Sequence, residues 1–311
     1  MKKIILTLAA VVLSAGLISA QDMSQATETA KNANEALVAK DYAKALEGFK
    51  EALTQAQACG EEGEELVGTC KTVIPSIVLS IAKNEIKESK YDEGIAKLEE
   101  AIKVAEEYEN DDVIGEAAGL IPQVKKQKAT ALFNDKDYAA AAEAFKEILS
   151  ADPEDGASAL RLAVALTNTG DKEGSIAAFK QAAEYGQAAT ANKQLANIYL
   201  KDAQALLKDK KYKEAIAACE ESNTFSESAN AYKLAASAAS QLKDNAKAIG
   251  YYEKYLAVDP SAKDANGIIT TLAVLYQQSG NKAKAIEYYT KVQNDPQYGA
   301  TAKQQLEALK K

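Results

Sequence analysis

The sequence predicts an all-α protein built as a solenoid of stacked antiparallel helix pairs, and three observations predict it. First, one phrase recurs. DYAAAAEAFKEILSADP (137–153) has close copies in KDYAKALEGFKEAL (40–53), SKYDEGIAKLEEAI (89–102), GDKEGSIAAFKQAA (170–183), KKYKEAIAACEESN (210–223), KDNAKAIGYYEKYL (243–256) and GNKAKAIEYYTKVQ (280–293). Second, the small residues in register, Ala45, Gly94, Ala141, Ser175, Ala215, Ala248 and Ala285, lie 49, 47, 34, 40, 33 and 37 residues apart. That interval is the period of helical repeats. Third, the chain is 47% hydrophobic with only 5 prolines among its 311 residues, a composition suited to long helices. Within the phrase, Ala141, Phe145 and Ile148 are spaced by four and three, which puts them on one helical face.

Taken in order, Met1 to Ala20 has two lysines, an apolar run from Ile4 to about Leu17 and small residues at Ser19 and Ala20. This reads as a secretory signal peptide; a retained anchor is the alternative, although the run is short for a membrane span. No cysteine follows the run, so no lipid anchor is expected. The mature chain is expected to begin at Gln21, with no further membrane span, and to be exported to the periplasm or the cell exterior. Formal charge is -8 and unevenly spread. Residues 21–122 hold 22 acids against 10 lysines, and residues 123–311 hold 23 acids against 25 bases. A long acidic face argues against nucleic acid as a partner, because phosphate binding needs positive surface.

The first two intervals are the longest, and the excess precedes Ile74-Pro75 and Ile121-Pro122. Tyr91 follows Pro75, and Tyr138 follows Pro122, by the same 16 residues, so the two units share an architecture. Proline suits the first turn of a helix. Extra helical turns are therefore expected at 62–73 and 111–120, with the next helix starting at each proline; one lengthened, kinked helix is the alternative. From Asp152 the units are regular. The turns ADPED, AVDPSAKD and NDPQYG close their second helices, and 299–311 forms a final amphipathic helix of the kind a solenoid needs to cover its last apolar face. The division expected is a signal peptide at 1–20, acidic elongated units at 21–122, regular units at 123–297 and a capping helix at 298–311.

The phrase and its spacing resemble the tetratricopeptide repeat, a unit of helix A, turn and helix B, over roughly residues 24–310. The family's small residue of helix A matches Ala33, Ala82, Ala129, Ala163, Ala203, Ala236 and Ala273, each twelve residues before its helix B partner. Its closing proline matches Pro153, Pro260 and, one residue early, Pro296. The tryptophan often found early in helix A is absent; Tyr199 and Tyr232 stand there in two units. The resemblance implies a right-handed superhelix whose A helices line a concave groove for an extended protein or peptide segment. Projected here, that groove holds Gln123, Lys126, Gln127, Thr130 and Asn134, then Arg161 and Asn168. It continues with Asn197, Lys201, Gln204 and Lys208, then Asn230, Lys233, Ser237 and Gln241, and last Thr270 and Gln277. Arg161, the single arginine of the chain, is placed to grip a carboxylate bidentately. The lysine, asparagine and arginine set by which some family members clamp a C-terminal carboxylate is incomplete.

Chemistry is sparse. There is no histidine, which removes the commonest general base and zinc ligand. No nucleophile-elbow, dinucleotide or phosphate-loop spelling occurs, so neither an enzyme nor a cofactor is expected. The acid clusters 61–65 and 109–112 lack the alternating ligand pattern of a calcium loop and read as solvated turns; no metal site is expected. Cys59 and Cys70 could close a disulfide in an oxidising compartment, contributing roughly 3 kcal/mol if unstrained; the alternative is two buried thiols on facing helices. Cys219 stands in the helix B slot held elsewhere by Phe49, Leu98, Phe145, Phe179, Tyr252 and Tyr289, so it reads as a core thiol. Most of the tyrosines from Tyr199 to Tyr298 are expected in the core. Three functions fit: a bacterial envelope scaffold that binds proteins through its groove, a module for a small acidic ligand, peptidoglycan fragment or glycan, and a self-assembling structural protein.

Overall fold

The computed structural model describes residues 19–310, which form fifteen α-helices and no strand. The chain divides into two compact units that meet between Ala151 and Asp152. The first unit contains α1 (Ser19–Val38), α2 (Tyr42–Ala58), α3 (Glu64–Lys87, entered through a 3-10 turn at Gly60–Gly63), α4 (Tyr91–Glu107), α5 (Asp111–Asn134) and α6 (Tyr138–Ala151). The second contains α7 (Gly156–Thr169), α8 (Lys172–Ala182), a π turn (Ala183–Gln187), α9 (Ala188–Lys208), α10 (Tyr212–Phe225), α11 (Ala229–Gln241), α12 (Asn245–Val258), α13 (Ala265–Gln278), α14 (Lys282–Val292) and α15 (Gly299–Lys310). Each unit is a stack of antiparallel helix pairs in which successive helices pack on one another, the arrangement of a helical solenoid. The odd-numbered helices up to α13 are the A helices and the even-numbered ones the B helices. The expected signal peptide lies almost wholly outside the described residues.

Small residues set the helix spacing. The seven alanines in register on the A helices are buried, and so are Ala45, Gly94, Ala141, Ser175, Ala215, Ala248 and Ala285 on the B helices. In the first pair the helices come so close that a Cβ on Gly48 would sit 2.8 Å from the Cβ of Ala33. Ser175, the one hydroxyl in this set, donates to the carbonyl of Ala163 at 3.0 Å and meets the Thr167 hydroxyl at 2.6 Å, so burial leaves it satisfied. The bulky slot of helix B is filled and buried throughout by Phe49, Leu98, Phe145, Phe179, Cys219, Tyr252 and Tyr289.

The A–B turns are copies of one geometry. Each A helix ends at a left-handed residue, in order Lys40, Ser89, Lys136, Gly170, Lys210, Lys243 and Gly280. The next N–H in each turn donates 2.9–3.0 Å to a carbonyl five residues earlier, as from Asp41 to Ala36 and from Asn281 to Tyr276, which closes the helix end. Helix B then starts at once, because Asp41, Asp137, Asp171, Asp244 and Asn281 accept the N–H three residues on at 2.9–3.2 Å, the N-cap bond.

Two expectations need correction. No separate helices form over 62–73 and 111–120; α3 and α5 run unbroken for 24 residues each, with Pro75 and Pro122 inside them. The expected boundary at 122–123 therefore falls within α5. A proline in a helix removes one donor and crowds the carbonyl four residues back, here that of Lys71; the next carbonyl, of Thr72, accepts from Ser76 Oγ (3.3 Å) and Asn110 Nδ2 (3.2 Å). The Gly60–Lys87 stretch is long and apolar enough to cross a membrane, but half of its most apolar window is buried, where Val73, Ile74, Ile77 and Val78 join the core. Cys59, Cys70 and Cys219 are free thiols. Cys59 Sγ donates to the Gln55 carbonyl at 3.3 Å, while burial holds Cys70 and Cys219 up to about 11.

The core of the second unit is rich in phenols. Tyr251, Tyr252, Tyr255, Tyr288 and Tyr289 are buried in it, and α15 closes its end with Ala302 and Leu306.

Candidate functional site

On the second unit the A helices carry a polar stripe opposite their buried alanines. In α9, Asn197, Lys201, Gln204 and Lys208 are exposed at helical spacings of four, three and four, while Leu195, Ala196 and Ala203 face the core. Arg161 and Asn168 on α7, and Asn230, Ser237 and Gln241 on α11, are exposed as well. Asn168 donates to the Val164 carbonyl at 2.8 Å. On the first unit, α5 presents Gln123, Lys126, Gln127 and Asn134 exposed, with Thr130 half-buried. There Gln123 donates to the Gly119 carbonyl at 3.1 Å and Thr130 to that of Lys126 at 2.8 Å.

Three expected groove residues are engaged within the fold. Lys233 is half-buried, bridges the Asp264 carboxylate and lies 5.8 Å over the Tyr255 ring. Gln277 donates to Gln305 at 3.2 Å and accepts from the Tyr289 hydroxyl at 3.0 Å, so both ends of its amide are engaged. Thr270 turns its hydroxyl back to the Asn266 carbonyl at 2.8 Å.

Beside these residues opens a cavity of about 420 Å³ lined by Asp264, Gly267, Ile268, Thr270, Thr271, Val274 and Tyr298. Ile268, Val274 and the half-buried Tyr298 make it apolar on one side. Val274 is 38% exposed. Val274 sits four residues beyond Thr270 and hence on the same face, although its apolar side chain type points to the core. Tyr298 is held by the Asp295 carboxylate, which accepts the N–H groups of Gln297 and Tyr298 at 2.8 Å each and an Asn266 amide bond at 2.7 Å.

Phenol–carboxylate bonds join successive repeats behind this face. Tyr276 and Tyr288 stack at 5.5 Å and both donate to Glu253 Oε1, at 2.6 and 2.9 Å. Tyr251 donates to Glu220 and Tyr255 to Asp264. Burial and the accepting carboxylate push Tyr255 and Tyr276 up to about 12. The Lys233 ammonium and the Tyr255 hydroxyl hold Asp264 below its usual range, and Lys284 with Lys291 lowers Glu287 to about 2. These groups are matched to partners in the fold, and none is poised for proton transfer near neutral pH. Among the described residues no cluster of metal-ligating side chains occurs. Of the fifteen tyrosines, five are buried and ten are half-buried, Tyr298 in the cavity lining among them.

Residues 126–193 match one tetratricopeptide repeat family model, and residues 229–261 and 268–294 match another. No curated protein matches the chain in sequence. Among solved structures, the TPR2AB domain–pHSP90 complex of yeast Sti1 is similar at 18% identity and a TM-score of 0.32, covering 93% of this chain and 99% of that one. MamA from Desulfovibrio magneticus RS-1 is similar at 20% identity and a TM-score of 0.29, with 55% and 92% covered. YrrB, described as a TPR protein with an unusual peptide-binding site, is similar at 14% identity and a TM-score of 0.30, with 58% and 91% covered. Repeat phrase, helix pairing and matched segments agree: the chain is a helical solenoid that carries tetratricopeptide repeats.

Proposed function

We propose that the chain is a non-catalytic adaptor, exported to the bacterial envelope, that binds an extended protein segment along the A helices of its second unit. The observation that carries this reading is the exposed stripe of Asn197, Lys201 and Gln204 on α9 with Asn230, Ser237 and Gln241 on α11, none engaged by another described side chain. An extended backbone offers one donor and one acceptor per residue, and amide side chains answer both. Lys201 and Arg161 favour carboxylates in the bound segment. The cavity by Val274 and Tyr298 is large enough for one apolar side chain. A small acidic ligand in that cavity is disfavoured by its lining, which holds the Asp264 carboxylate and no cation.

The test is fluorescence anisotropy with a library of extended peptides that combine acidic residues with one large apolar residue. Binding should weaken at least about tenfold in Lys201→Ala/Asn230→Ala, the loss of one charged and one neutral hydrogen bond. Equal affinity in the double variant would sink the assignment. Filling the cavity by Val274→Glu should remove the preference for the apolar residue while leaving the acidic preference intact.

A further inference from the structure

The two ends of the helices carry different charge. Successive helices in each unit are antiparallel, so A–B turns gather on one edge and B–A turns on the other. On the A–B edge of the second unit stand Lys210, Lys211 and Lys213 at the α9–α10 turn, Lys243 and Lys247 at the α11–α12 turn, and Lys282 at the start of α14. All six are exposed and outside every described ion pair; Asp171, Glu173, Asp209, Glu214 and Asp244 share this edge, and Lys172, Lys208 and Lys284 keep lysines in the majority on it. On the B–A edge of the first unit stand Glu61, Glu64 and Glu65 between α2 and α3, and Glu106, Glu107 and Glu109 between α4 and α5. These too are exposed and outside every described ion pair.

Helix stability accounts for Glu64 and Glu65, which lie in the first turn of α3, but not for five of the other charges. The helix dipole favours anions at N-termini and cations at C-termini. Lys213, Lys247 and Lys282 lie in the first turns of their helices, and Glu106 and Glu107 lie in the last turn of α4. Each of these five works against its own helix. Both edges also carry their charge in clumps one repeat apart, at 61–65 and 106–109 on one and at 210–213, 243–247 and 282 on the other. Edges built from one kind of repeat present those clumps at similar intervals.

From this complementarity we infer that the lysine edge of the second unit docks on the acidic edge of the first unit of another copy of the same chain. The contact is heterologous, so each copy can give one edge and receive another, and association runs on unless it closes into a ring. Nothing in this inference depends on peptide binding by the A helices.

Sedimentation velocity on the purified chain tests it. Weight-average mass should rise with concentration at about 0.01 M salt, where screening reaches about 30 Å, and fall to the monomer at about 1 M, where it reaches about 3 Å. The dissociation constant should rise at least about tenfold between the two. Lys210→Glu/Lys211→Glu/Lys213→Glu and, separately, Glu106→Lys/Glu107→Lys/Glu109→Lys should each be monomeric at low salt. Most of these changes put charge at its favoured helix end, and far-ultraviolet circular dichroism confirms that both variants fold. Mixed one to one, the two variants should associate again, because the mixture retains one intact edge of each sign and its two reversed edges are of opposite sign as well. A wild type that stays monomeric at low salt, an association indifferent to salt, or a mixture that fails to pair would each overturn the inference. So would a monomer that uses the same lysines only to bind anionic vesicles.

Discussion

Lysine is a costly residue for left-handed backbone, yet Lys40, Lys136, Lys210 and Lys243 hold φ values of 60–64° at the ends of their A helices. A Cβ there meets the following carbonyl, a strain of about 1–2 kcal/mol that glycine lacks. Lys136→Gly and Lys210→Gly are therefore expected to raise stability by about 0.5–1 kcal/mol each, after the extra entropy of glycine in the unfolded chain. Lys146→Gly, inside α6, should lower it by about 1 kcal/mol; urea midpoints of the three variants check both signs. The phenols give a pH test. A tyrosine titrates near 10 when unfolded, whereas Tyr255 and Tyr276 are held up to about 12 in the fold. Their contribution is complete below about pH 10 and is lost as pH rises from about 10 to 12. Helicity followed by circular dichroism should fall across that window, and Tyr255→Phe/Tyr276→Phe should flatten the fall. Residue identities in the core were legible from the sequence, because small and bulky slots repeat in register. The groove was legible only in part: Lys233 and Gln277 fall on the polar face projected for their helices, but no pattern along one helix reveals that Asp264, Gln305 and Tyr289 lie within reach of them.

At the scale of the helix, proline carried a misleading signal. A proline suits a helix start and strains a helix interior, so Pro75 and Pro122 read as starts; α3 and α5 pass through both. Tertiary packing outweighs local preference here, since apolar residues on both sides of Pro75 belong to the core. The two prolines differ in surroundings. Pro75 is buried and Pro122 is exposed, so Pro122→Ala restores a donor without opening a cavity and should stabilise the first unit by about 1–3 kcal/mol in urea titration. In Pro75→Ala the restored donor is offset by lost burial, and the gain should be smaller.

For the whole molecule, the stack of repeats was written in the sequence, whereas the division at Ala151–Asp152 was marked there only by repeats that become regular from Asp152. Acidic composition changes near residue 122, while compactness follows α6, which packs on α5. The end of the second unit depends on α15. Deleting residues 299–311 uncovers the apolar side chains that Ala302 and Leu306 cover, so the truncated chain should bind a hydrophobic dye and unfold at lower urea, as a repeat array without its cap does. The matched design of α3 and α5 has a further consequence. Both helices have 24 residues, both carry proline at the twelfth position, and the helices that follow them begin 47 residues apart, at Tyr91 and Tyr138. Residues 64–110 thus match the length of one whole repeat, although α3 buries more of its side chains than α5 does. Joining Gly63 directly to Asp111 would hand α5 the place of α3, and a shorter chain with one fewer helix pair should still fold, its length set by how many repeats it holds.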